Sequence, residues 1–159
     1  MKKLLLILLI IFLVGCTSNK EPLDLSIYKE YYKEIDNNTY FSDSSNNYSI
    51  KYEVTQVDNG AYRYYIFIDQ PQVAMYDCVI LVRENNIKYE AQTKMMPSSG
   101  IFDNKYSLVP NQIDTAGGYP KGIILSGEID SEKIYLDILI QWNNYSRFNK
   151  TTEYIHIEN

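Results

Sequence analysis

Residues 48–57, YSIKYEVTQV, run through Asp58-Asn59-Gly60 into residues 62–69, YRYYIFID. Both runs alternate with a period of two, and in the second Tyr62, Tyr64, Ile66 and Ile68 fall on one face, the pattern of a half-buried strand. Asp-Asn-Gly between two such runs is a hairpin signal, because a tight turn needs residues that tolerate a positive φ. Downstream, Gln70-Pro71-Gln72 breaks the chain and residues 73–83 are apolar enough for a central strand. Glu84-Asn85-Asn86 then turns into an expected strand over 87–94. Residues 95–100, with Pro97-Ser98-Ser99-Gly100, and 111–120, with Gly117-Gly118-Tyr119-Pro120, read as loops around a short strand at 106–109. Strands are expected over 122–129 and 133–142, joined at Asp130-Ser131-Glu132. In the second of these Ile134, Leu136, Ile138, Ile140 and Trp142 share a face. A last run, 152–158, closes an edge.

Upstream of the hairpin the period changes. Tyr28, Tyr31, Tyr32 and Ile35 are spaced as one face of a helix over 24–35, with Lys29, Glu30, Lys33 and Glu34 opposite and Asp24 or Ser26 as N-cap. Residues 37–47, rich in Asn, Ser and Asp, read as a loop. Short strands at regular spacing, one helix before them, and connections too short for parallel crossovers predict a mainly β chain. The expected architecture is an antiparallel β-sandwich, immunoglobulin-like, of about seven to eight strands with one N-terminal helix. The cysteine pair of antibody domains is missing, and Trp142 in a two-sheet core matches that class only loosely.

Met1-Lys2-Lys3 is a basic start, and residues 4–14 are eleven apolar residues in a row. As a helix that run spans roughly 16 Å, about half a hydrocarbon core near 30 Å, so it has the length of a secretory leader rather than a membrane span. It ends in Leu13-Val14-Gly15-Cys16, which resembles the lipobox of bacterial lipoproteins. That resemblance covers the first 16 residues and implies cleavage before Cys16 and acylation of its thiol. The chain then divides into a leader at 1–15, a lipidated cysteine and polar tether at 16–23, and a helix-plus-sandwich domain at 24–159. The membrane partner is reached through the lipid, on the extracytoplasmic face. Two acyl chains suffice for stable anchoring where one is marginal.

The chain has 159 residues, with 15 Lys and Arg against 20 Asp and Glu. Losing Lys2 and Lys3 with the leader leaves 13 against 20, a net −7. An acidic product repels phosphate backbones, so no nucleic-acid partner is expected. One His and two Cys are too few soft ligands for a zinc, copper or iron–sulfur centre, and neither cofactor nor metal is expected. Glu128, Asp130 and Glu132 around one loop are oxygen ligands of the kind calcium takes, but solvated strand-end acids account for them without an EF-hand pattern.

Catalytic arrangements are scarce. Cys78 lies in an apolar run beside Asp77, which disfavours a thiolate, and is expected to be buried and structural. His156 alternates with Ile155 and Ile157 and is expected to face solvent. Ser126-Gly127 lacks the Gly-x-Ser-x-Gly spacing, since Ile124 stands at the first glycine position. Sixteen tyrosines remain. Most suit half-buried sheet faces, while exposed rings could stack on sugars. Tyr62, Tyr64, Tyr65 and Tyr119 are the candidate ligand or partner contacts, and loops 95–100 and 111–122 the candidate partner surfaces. The expectation is a non-catalytic, lipid-anchored binding or interaction module of the cell surface, meeting a surface protein or a glycan. A carbohydrate-binding lipoprotein using its tyrosines, and behind it a small acid-dependent hydrolase, are the alternatives.

Overall fold

The computed structural model describes residues 24–58 and 60–159. The expected leader at 1–15, Cys16, the tether at 16–23 and Asn59 of the turn lie outside the described residues. In chain order the elements are α1 (Ser26–Asn37), β1 (Ser49–Gln56), β2 (Tyr62–Asp69), β3 (Met75–Glu84), β4 (Ser98–Ser99), β5 (Tyr106–Leu108), β6 (Gly122–Ile129), β7 (Tyr135–Asn143) and β8 (Lys150–Glu158). The hairpin of β1 and β2 forms with Ser49 opposite Asp69 and Gln56 opposite Tyr62. Gly60 at φ +82° supplies the left-handed backbone of its turn.

Two antiparallel sheets result. One has three strands in the order β1-β2-β6. The other runs β4-β3-β7-β8, with β5 also on β3, paired across a bulge between Met75 and Cys78. The mainly β, sandwich-like architecture with one N-terminal helix therefore stands, with eight strands among the described residues. Between the sheets lie Tyr64, Ile66 and Ile68 of β2, Ile123 and Leu125 of β6, Ile80 and Val82 of β3, and Ile157 of β8. The predicted row Ile134, Leu136, Ile138, Ile140 and Trp142 is buried in the same core. Burial of aliphatic side chains on this scale is the main stabilising term, about 1.5–3 kcal/mol each.

A second core forms on the far side of the five-stranded sheet. Tyr28, Tyr32 and Ile35 of α1 pack on Leu81, Leu139 and Met96. This is why β3 reads as an unbroken apolar run, since it is covered on both faces. The helical phenols also reach across the layer. Tyr28 Oη donates to Gln92 Oε1 (2.7 Å) and accepts from the Met96 amide (2.9 Å), Tyr31 Oη donates to Gln141 Oε1 (3.1 Å), and Tyr32 Oη donates to the Ile87 carbonyl (2.6 Å). At the helix start the Ser26 amide donates to Asp24 Oδ1 at 2.9 Å, but the N-cap position is Leu25, without a side-chain capping bond, so neither Asp24 nor Ser26 is the N-cap.

Two expectations are corrected. Residues 87–94 form no strand: a turn leads into a single 3₁₀ turn, Tyr89–Ala91, and the phenols of α1 donate to the Ile87 carbonyl and to Gln92 Oε1 on either side of it. In the expected loop 95–100, Ser98–Ser99 instead pair with β3 as β4, and Met96, Ser99 and Gly100 are buried. The edge strand β8 is itself flanked by the 37–47 loop, where the Ser42 amide donates to the Tyr154 carbonyl and the Ser42 carbonyl accepts from the His156 amide.

Candidate ligand face on the three-stranded sheet

The alternation that buries Tyr64, Ile66 and Ile68 turns Arg63, Tyr65 and Phe67 outward. Register then builds three rows across the outer face. Phe67 lies between Lys51 of β1 and Ile124 of β6, Tyr65 between Glu53 and Ser126, and Arg63 between Thr55 and Glu128. No described helix covers this face. Ile124 is 62 % exposed, and the rings of Tyr65 and Phe67 stack with centroids 6.4 Å apart and planes 30° apart. Phe67 stands between two shallow hollows. One, of about 300 Å³, is lined by Phe67, Asp69, Lys121 and Ile124, and the other, of about 560 Å³, by Lys51, Tyr52, Glu53, Phe67 and Asp69.

Asp69, common to both hollows, carries a buried oxygen, Oδ1, without a hydrogen-bond partner. A buried acceptor left unmatched is costly, and because this oxygen is closed off from the surface it is a cost to the fold, while Asp69 as a residue still lines both hollows. Across the far row Arg63 pairs with Glu128, and the pairing raises the guanidinium pKa and holds the Glu128 carboxyl below its ordinary range. The rim therefore presents Lys51 and Lys121 against Glu53 and Asp69, with Arg63 and Glu128 already neutralising each other.

The four tyrosines singled out in the sequence do not form one site. Tyr65 is on the outer face. Tyr64, two-residue periodicity notwithstanding its surface candidacy, is fully buried and donates from Oη to Glu84 Oε1 at 2.7 Å, so it offers no contact to a ligand. Tyr62 packs at the margin of the same core. Tyr119 sits in the 111–122 loop, its amide and carbonyl both bonded to Asp114. Phe67 and Ile124 were missed, although the strict alternation of 62–69 already assigned Phe67 to the face opposite Ile66 and Ile68.

Two buried charge clusters were also invisible in the sequence. Glu84, at the inner end of β3, accepts from Tyr64 and pairs with Lys94 at 2.9 Å. Gly127, opposite Tyr64 in the sheet, leaves the room for this, as a Cβ there would come within 2.5 Å of Glu84 Oε1 and Tyr64 Oη. Burial, and then the Glu84 charge, push the Tyr64 phenol upward. On the outer face of the other sheet Arg83 binds Asp137, Asp36 of α1 (2.8 Å) and Asn86 (2.9 Å). His156 is corrected here: it does not simply face solvent, because the β7–β8 register sets it opposite Asp137, with Nδ1 2.8 Å from Asp137 Oδ1 and its ring 4.4 Å from that of Tyr135. Glu84 and Asp137 thus project from opposite faces of their sheet, and each is held by partners.

Cys78 is buried, its thiol donating to the Met75 carbonyl at 3.4 Å, and burial, assisted by Asp77, pushes its pKa up to about 12. Among the described residues no group of three His, Cys, Asp or Glu is placed to hold a metal ion, and no helix is long and apolar enough to cross a membrane. Of the two candidate loops, 95–100 buries Met96, Ser99 and Gly100 but leaves Met95 exposed, and 111–122 leaves Ile113 66 % exposed. Comparison with known proteins finds no family model that matches this chain, no matching curated protein and no matching solved structure.

Proposed function

We propose that this chain is a lipid-anchored binding module of the bacterial cell surface, non-catalytic and extracytoplasmic, whose ligand or partner meets the uncovered face of the three-stranded sheet. The single observation behind the binding role is that face: an aromatic pair and an exposed isoleucine between two hollows, with no element of the described chain laid over them. The anchor rests on Leu13-Val14-Gly15-Cys16 after an eleven-residue apolar run. From Cys16 to Asp24 the chain reaches at most about 28 Å, so the domain works close to the bilayer.

The immunoglobulin-like class is part of the same reading. A β1-β2-β6 sheet facing β4-β3-β7-β8 has the strand order of an A-B-E sheet facing C′-C-F-G. Trp142 in the inter-sheet core, edge-on to Tyr48, takes part in a central aromatic contact without the usual disulfide. The test begins with fractionation of the native host. The wild-type chain is expected in the membrane fraction with an acylated Cys16 by mass spectrometry, and Cys16→Ser is expected to be released. Retention of that variant, or an unmodified amino terminus starting elsewhere, overturns the anchor. Crosslinking from a photoreactive residue at Ile124 then tests the face, which loses its role if it captures no more than the same residue placed at Ile113.

A further inference from the structure

The balanced charge of the open face narrows its ligand, and this step rests on the reading of that face as the binding surface. We propose that the face binds a neutral glycan, with a sugar ring on Phe67 and Tyr65 and hydroxyls reaching Asp69, Lys51 and Lys121. An anionic ligand such as a phosphate or uronic acid would meet Asp69 and Glu53 as it approached the two lysines, and a cationic peptide would meet Lys51 and Lys121 as it approached the two acids. A hydroxyl is donor and acceptor at once. It can give its proton to a rim carboxylate, Asp69 or Glu53, and accept from a lysine with no net charge on the ligand. The C–H face of a pyranose is apolar and suits an aromatic ring, and the ring it would meet, Phe67, lines both hollows. Ligands in either hollow therefore share one aromatic wall and one carboxylate, which fits successive units of a chain better than a single compact molecule. The hollows are shallow, so such binding is weak per unit and gains from repeated units along a polymer and from many anchored copies.

The experiment is calorimetric titration of the full lipidated chain in detergent micelles with three probes: an N-acetylglucosamine tetramer, a glucose tetramer and a polyphosphate of matched length. At least one neutral tetramer is expected to bind and polyphosphate is not. Phe67→Ala is expected to weaken the tetramer at least tenfold and Asp69→Ala several-fold, with thermal unfolding showing both variants folded, while Tyr119→Ala leaves affinity unchanged. Binding that survives Phe67→Ala, preference for polyphosphate, or silence with both neutral tetramers overturns the glycan assignment. If silence is accompanied by protein crosslinks specific to Ile124, the binding-module reading survives and the glycan alone fails; if the crosslinks are absent too, both fail.

Discussion

The two outer faces of the sandwich differ in what lies over them. On the five-stranded sheet, Leu81 and Leu139 point outward and α1 covers them with Tyr28, Tyr32 and Ile35. On the three-stranded sheet, Tyr65, Phe67 and Ile124 also point outward, and nothing among the described residues is laid on top. Both faces carry apolar groups, yet only the roofed one combines them with inward-held charges and phenols bonded through the layer. Buried, mutually bonded groups are concentrated on the roofed side, and the open side is the face proposed for ligand binding.

That division can be broken first at Arg83. It joins Asp36 of α1 to Asp137 of β7 inside the covered layer, and removing one member of a buried ion pair leaves the other charge uncompensated. Arg83→Met is expected to cost about 3–5 kcal/mol in denaturant unfolding. A loss below about 1 kcal/mol would mean that the helix is not tied to the sheet through this contact. Next comes Leu139→Ala under the helix, expected to cost about 3 kcal/mol through lost burial and the cavity left behind.

Alkaline pH tests the buried layers together. Burial raises the phenols of Tyr28, Tyr31, Tyr32 and Tyr154 on the roofed side, and those of Tyr48 and Tyr64 between the sheets. Each stays protonated in the folded chain where the unfolded chain has begun to ionise, so the phenols' contribution to stability is full below about pH 10 and falls above it. Each such phenol is worth up to about tenfold in the unfolding equilibrium per pH unit, and Tyr32→Phe is expected to flatten the decline. Cys78 adds to the fall from about pH 9, the ordinary thiol value, up to about 12. An alkaline slope unchanged by Tyr32→Phe would contradict this account. The smallest effect on stability is expected on the open side, where Phe67→Ala should change unfolding by less than about 1 kcal/mol while abolishing ligand capture. A larger loss of stability would make Phe67 a packing residue and weaken the comparison.

The hairpin, the helix, the inward row of β7 and the burial of Cys78 were legible because each depends on short-range periodicity. An alternation of two, or a spacing of three and four, declares which side of an element is apolar without reference to anything distant. The 87–94 segment was misread because its conformation is set by partners far along the chain, the hydroxyls of Tyr28 and Tyr32. His156 was placed toward solvent for a similar reason: its neighbour Asp137 is supplied by another strand, and nothing adjacent in sequence announces it.

The candidate site shows the same limit. Tyr64 and Tyr65 are consecutive and chemically identical in the sequence, and both qualified as ligand contacts. Their opposite fates follow from the pleat, which sends one into the core beside Glu84 and the other out beside Phe67. Alternation could have separated them once the inner face of 62–69 was chosen. It could not have revealed Asp69 as the unpaired acceptor between two hollows, because that depends on where β1 and β6 come to lie.

By itself, the chain's order of residues determined the strands, the helix and their apolar faces, since those are properties of nearest neighbours and of the backbone's two repeats. Only the tertiary structure decided which outer face is roofed and which remains bare, and which charges are buried in pairs. Those outcomes come from contacts between residues dozens of positions apart, whose meeting is set by sheet order and register rather than by local preference.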